Sequence, residues 1–114
     1  MKPSKYRNKR TLCRHGHTHA SAKEANRCEE LALLLRAGRI DRLEFQKRFP
    51  LRVSGEVICT YVCDFAYLEM TPDGLHARRM VVEDVKSPVS RKLPVYRIKA
   101  KLFKAIFGFD ITEV

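Results

Sequence analysis

Asp64, Asp84 and Lys86 form a set of side chains whose types and spacing suit hydrolytic chemistry at a phosphate. Two carboxylates can hold a hard divalent cation. An ammonium beside them can orient or help deprotonate a water and neutralise developing negative charge. The run Glu83-Asp84-Val85-Lys86 offers two neighbouring acids for one of those places, so the choice between them falls to the elements that carry them.

The segment Val57 to Met70 (VICTYVCDFAYLEM) and the shorter run Arg79 to Lys86 (RMVVEDVK) are rich in β-branched and aromatic residues, and both read as strands. Thr71-Pro72-Asp73-Gly74 between them is a strong turn signal, which predicts an antiparallel hairpin. Asp64 lies nine residues before Asp73 and Asp84 ten after Gly74, so the two acids should sit at nearly the same level of the ladder. Alternation along the second strand places Met80, Val82, Asp84 and Lys86 on one face and Val81, Glu83 and Val85 on the other. Asp84 and Lys86 are therefore expected to point together. Asp64 is expected to share its face with Val62, Ala66 and Leu68, where an unpartnered carboxylate costs about a few kcal/mol of desolvation. An acid there needs a metal, a cation or water.

The chain has 114 residues, enough for one domain with a core. Its 23 Lys+Arg against 13 Asp+Glu give a net charge of +10, the balance that a phosphate-backbone partner favours. Six of those cations fall within Lys2 to Arg14 and six within Arg91 to Lys104. No apolar run of transmembrane length and no signal peptide are present, so a cytoplasmic location away from membranes is expected. Cys13, Cys28, Cys59 and Cys63 show no C-x-x-C pair and read as reduced thiols, with Cys59 and Cys63 on the strand face opposite Asp64. Cys13, His15, His17 and His19 alternate in a way that invites a metal-site reading, but Gly16 turns the chain among them and structural zinc usually needs four well-placed ligands. Exposed polar positions are the expectation there.

Met1 to Lys9 reads as a loose basic arm and residues 10–114 as a single domain. Arg10 to Ala20 looks like a small hairpin turning at His15-Gly16, after which Ser21 opens a helix to about Ala37 that Gly38 stops. Arg42 to Val53 reads as one strand, and Ser54-Gly55-Glu56 as the turn into the central hairpin. A loop from Ser87 to Lys92 leads to Pro94, suited to the first turn of a second helix. That helix should bury Val95, Ile98, Leu102, Ala105 and Ile106 and present Arg97, Lys101 and Lys104 outward. Gly108 ends it, and Phe109 to Val114 could add a last strand. The order predicts an α/β fold with a central mixed sheet flanked by helices and preceded by a hairpin.

Two further polar residues join the candidates. Periodicity aligns Glu24 with Cys28, Leu31 and Leu35 at the sheet-facing edge of the first helix, whereas Glu29 and Glu30 point away. Ser21-Ala22-Lys23-Glu24 is also a capping box, a role compatible with the site. Gln46, between Phe45 and Phe49, shares a strand face with Glu44 and Arg48 and reads by default as a surface residue.

Ser21-x-x-Glu24-Ala25-Asn26-Arg27, Gln46-x-x-Phe49, Tyr61-x-x-Asp64-Phe65-x-Tyr67, Val82-Glu83-Asp84-Val85-Lys86 and Tyr96-Arg97-x-Lys99-x-Lys101-Leu102-Phe103 together resemble a small phage and prophage family of the PD-(D/E)xK nuclease superfamily, from about Tyr6 to Val114. The residue before Asp64 is Cys63 rather than proline, and Glu83 precedes Asp84. The resemblance implies a restriction-endonuclease-like core, similar to that of Holliday-junction resolvases, and Mg²⁺- or Mn²⁺-dependent hydrolysis of DNA. It implies metal binding by Asp64, Asp84, the Val85 carbonyl and Glu24. Lys86 would act on the attacking water and Gln46 would support the site.

The expected activity is a structure-selective endonuclease acting on branched or duplex DNA in phage recombination or DNA processing, working as a homodimer because two opposed strands must be cut. Lys5, Arg7, Lys9, Arg10, Arg97, Lys99, Lys101 and Lys104 would hold phosphates without reading sequence, and Tyr96 could stack on a base. The competing expectations are a non-catalytic nucleic-acid-binding module that keeps the nuclease fold, and a structural protein in which Asp84 and Lys86 merely pair. Metal dependence separates the first reading from both others.

Overall fold

The computed structural model describes Thr11–Leu12, Thr18–His19 and residues 21–114. In chain order the elements are β1 (Thr11–Leu12), β2 (Thr18–His19), α1 (Ala22–Arg36), β3 (Ile40–Phe45), β4 (Arg48–Val53), β5 (Glu56–Val62), β6 (Phe65–Met70), β7 (Ala77–Asp84), α2 (Pro94–Phe107) and β8 (Thr112–Glu113), with a 3₁₀ turn at Ser90–Lys92 before α2. The main sheet has the order β3-β6-β7-β8. Its first two pairings are antiparallel and the last is parallel, so the sheet is mixed, as expected. β1 and β2 pair antiparallel, and β4 and β5 form a separate two-stranded ribbon.

The β6–β7 hairpin follows from local chemistry. The Asp73 carboxylate accepts hydrogen bonds from the Thr71 hydroxyl and from the Leu75 N–H, and Gly74 supplies the left-handed φ of +73° that the tight turn requires. Phe65 then lies opposite Glu83 and Leu68 opposite Met80.

The two long strands expected over residues 42–53 and 57–70 are each broken. The first divides at Gln46 and Lys47, the second at Cys63 and Asp64. Pairing continues through the break, with the Gln46 N–H donating to the Asp64 carbonyl and the Cys63 N–H to the Lys47 carbonyl, each at 3.1 Å. Gln46 therefore sits at a bend with φ of 50°, not within a strand. The cause is a change of core. Tyr61 and Cys63 pack in the α2-side cluster with Phe49, Leu51, Val82 and Phe103, whereas Phe65 and Tyr67 pack in the α1-side cluster with Ala25, Cys28 and Leu31. A flat strand sends residues 61, 63, 65 and 67 to one face. Only a bend at Asp64 delivers them to two.

Ser21 caps α1 by accepting from the Glu24 N–H at 3.2 Å, and Gly38, at φ of 75°, follows the helix end as expected. α2 packs Leu102 and Ile106 against the core as expected but is rotated away from Val95 and Ile98. Phe103 is fully buried, in ring contact with Phe49, Tyr61, Phe107 and Phe109, while Val95 and Ile98 are 66% and 64% exposed. Both stripes satisfy the helical period. The aromatic one wins because a buried ring removes more apolar area from water than a valine and gains edge-to-face contacts. The last strand is shorter than expected, two residues that pair with the end of β7.

Candidate active site

The bend and the end of β7 bring the acids together. With Phe65 opposite Glu83, the next rung sets Asp64 level with Asp84, and the Asp64 N–H donates to the Glu83 carbonyl at 3.1 Å. Asp64 Oδ2 accepts from the Val85 N–H at 2.7 Å. Asp84 Oδ2 accepts from the Tyr61 hydroxyl at 2.8 Å and lies 3.4 Å from Lys86 Nζ. The two carboxyl groups interact directly with each other, and Glu24, itself buried, acts on Asp64 from the first turn of α1. Three elements thus converge: the helix start, the strand bend and the strand end.

This crowding sets the electrostatics. Burial, followed by the neighbouring Glu24 carboxyl, pushes Asp64 up to about 6. Burial, followed by Asp64, pushes Asp84 up to about 7 against the opposing pull of Lys86. Carboxylates this close resist ionising together. Burial and the Asp84 charge likewise raise the Tyr61 phenol, which stays a hydrogen-bond donor.

A hard divalent cation would relieve the same repulsion. Two close carboxylates with a third acid nearby suit Mg²⁺, which takes few protein oxygens and keeps several waters. Among the described residues, no three His, Cys, Asp or Glu side chains are grouped so that they could hold a metal ion, so a fit rests on the two aspartates with backbone and water oxygens. The fit is that of an open, carboxylate-based site.

Glu83 has a different task. Its carboxylate, 1% exposed, takes a bidentate fork from Arg27, at 2.8 Å from Nε and 2.6 Å from Nη2, and a further hydrogen bond from the Tyr67 hydroxyl. Glu83 therefore bolts β7 to α1, and Asp84 is the acid that faces Asp64 and Lys86. Strand alternation at residues 83 and 84 predicts this division.

Lys86 Nζ lies 4.2 Å from the centroid of the Tyr96 ring, and the Lys86 carbonyl accepts from Lys23 Nζ at 3.0 Å. The Tyr96 hydroxyl donates to Glu113 at 2.7 Å, so this ring packs beside the lysine. Gln46 contributes its backbone to the bend, but its side chain is exposed, and among the described residues no contact joins it to the carboxylates.

Of the α2 cations, Arg97 and Lys101 are exposed, Lys99 Nζ donates to the Thr60 carbonyl at 2.9 Å, and Lys104 pairs with Asp110 at 3.2 Å. The arm with Lys5, Arg7, Lys9 and Arg10, and likewise Cys13, His15 and His17, lie outside the described residues. Tyr61, Arg27 and Lys23 are not among the site residues that the sequence suggests. Tyr61 is three residues before Asp64, but only the bend turns its hydroxyl toward Asp84.

A family profile described as "Protein of unknown function (DUF1064)" matches residues 3–111. No curated protein and no solved structure matches the chain.

Proposed function

We propose that this chain, which belongs to the DUF1064 family, is a metal-dependent deoxyribonuclease with a restriction-endonuclease-like core, selective for branched DNA. The observation that carries this reading is the half-buried Asp64 beside the buried Asp84, with Lys86 3.4 Å from Asp84, at the end of a strand next to a helix that presents Glu24. A structural ion pair accounts for Asp84 and Lys86 but not for the half-buried Asp64 and the buried Glu24 gathered beside them. Like charges held together without a cation cost stability, and such costs concentrate at functional sites.

Asp64 and Asp84 would hold one or two Mg²⁺ or Mn²⁺ ions, with the Val85 carbonyl and Glu24 as further oxygens. A bound ion of this kind supplies Lewis-acid polarisation of the phosphate and lowers the pKa of water. Tyr61 fixes the Asp84 carboxylate through its hydroxyl, and the Val85 N–H fixes that of Asp64. Lys86, held between Asp84 and the Tyr96 ring, orients the attacking water and neutralises charge on the phosphate. Arg97 and Lys101, with the basic arm, would hold flanking phosphates irrespective of sequence. A chain of this size has little surface for reading a long sequence, so DNA shape is the feature to select. Cutting opposed strands would call for a homodimer.

The test is incubation with labelled linear, flapped and four-way-junction DNA in Mg²⁺ or Mn²⁺, with EDTA and Asp84→Ala as controls. Cutting that needs the metal and is lost in the variant is the expected result. Binding without cutting in either metal would replace this reading with a non-catalytic nucleic-acid-binding module.

A further inference from the structure

A cavity of about 420 Å³ opens beside the acidic pair on the side of the loop between β7 and α2. Its volume is in the range that holds a small ligand, roughly 300–1,000 Å³. Val85, Val89 and Leu93 make an apolar wall, while Lys23 and Lys86 bring two cations to its edge. Ser21, Ser87 and Ser90 complete the lining. The loop is preformed: the Ser87 N–H donates to the Ser90 hydroxyl oxygen at 2.8 Å and the Ser90 N–H to that of Ser87 at 3.0 Å. Lys86 belongs to both this cavity and the acidic site, since its Nζ lies 3.4 Å from Asp84. By contrast, the cavity of about 350 Å³ at Met80 and Phe109 includes none of these residues.

An apolar wall bordered by two lysines and three serines around one small volume matches a nucleotide better than its parts. A phosphate alone would leave the valines and leucine uncovered, and an apolar side chain would make no use of the positive charge that Lys23 and Lys86 keep at the edge after their own contacts with the Lys86 carbonyl and Asp84. We propose that this cavity takes one unpaired nucleotide, its base on the Val85, Val89 and Leu93 wall and its phosphate toward Lys23 and Lys86. The placement relative to cleavage rests on the nuclease reading above. It refines the substrate class to DNA carrying an unpaired nucleotide beside the scissile phosphate. Extruding a paired base costs about a few kcal/mol and an unpaired one least, so flaps and junctions are favoured over intact duplex.

The test is an NMR titration of the whole chain, free of metal, with deoxyadenosine monophosphate, inorganic phosphate and deoxyadenosine as separate arms. The monophosphate is expected to shift the amides of Val85, Ser87, Val89, Ser90 and Leu93. Val89→Trp, at a position 64% exposed, should block the cavity mouth and weaken that binding at least ~10-fold while leaving the rest of the spectrum in place. A loop that does not respond to millimolar monophosphate overturns the proposal, as does inorganic phosphate reproducing the same shifts. Cleavage is assayed in parallel. Monophosphate binding without cleavage supports the cavity and rejects the nuclease, whereas cleavage without monophosphate binding rejects the cavity alone.

Discussion

At the scale of single residues, the site is defined by which acid each neighbour serves. Replacing Asp64 by Asn keeps its size and its bond from the Val85 N–H but removes a charge that a metal needs. Cleavage should be abolished while DNA binding holds or tightens, as measured by gel shift beside a cleavage assay; unchanged cleavage would sink the assignment. The raised carboxyls also predict how stability depends on pH. Asp64 and Asp84 bind their protons more tightly in the folded state, at about 6 and about 7, than an ordinary aspartate does at 3.8. Unfolding therefore releases protons between these values, and the metal-free protein loses stability as pH rises from about 4 to about 7. Thermal melts without metal should give a higher Tm at pH 5 than at pH 8, and Asp84→Asn should flatten that slope. A Tm that rises over the interval would mean that the two carboxyls are not raised in the folded state.

At the scale of elements, the bend at Asp64 and the clamp between α1 and β7 do the positioning. Arg27 sits one turn after Glu24, and Glu83 directly precedes Asp84, so one bidentate pair sets helix and strand in register and with them the two acids. Removing only the cation, as in Arg27→Leu, strands a buried Glu83 and is expected to cost about 3–5 kcal/mol by denaturant melt. Replacing both partners by Leu and Met should cost much less. If the double replacement is as damaging as the single, the clamp is not an isolated buried pair. α2 shows a related division. Its length and ends follow from Pro94 and Gly108, but its rotation follows from Phe103 and the rings around it, which periodicity alone does not rank against Val95 and Ile98.

At the scale of the whole molecule, the excess of +10 is unevenly available. Lys99 and Lys104 are engaged within the fold, while Arg97 and Lys101 are exposed one turn apart on α2. DNA affinity should fall steeply with salt, and the Arg97→Ala, Lys101→Ala double variant should reduce the log–log salt slope by about 2, near one unit for each phosphate no longer neutralised. An unchanged slope would remove α2 from the binding surface. No helix among the described residues is long and apolar enough to cross a membrane.

The sequence by itself determined what short-range chemistry can determine: the Thr71 to Gly74 turn, the helix boundaries at Ser21, Gly38, Pro94 and Gly108, and the alternation that separates Asp84 from Glu83. Those features depend on a few neighbouring residues and on fixed backbone periods. Tertiary structure alone decided the break at Gln46 and Asp64, the rotation of α2, the partnership of Glu83 with Arg27, and the turn of Tyr61 onto Asp84. Each of these settles a competition between distant groups for the same buried space, and a local pattern that fits both outcomes equally well cannot rank them. Asp64 shows the division within one residue. Its level on the ladder is written in the hairpin, while its place between Glu24, Asp84 and Val85 exists only because two cores pull the strand to opposite sides.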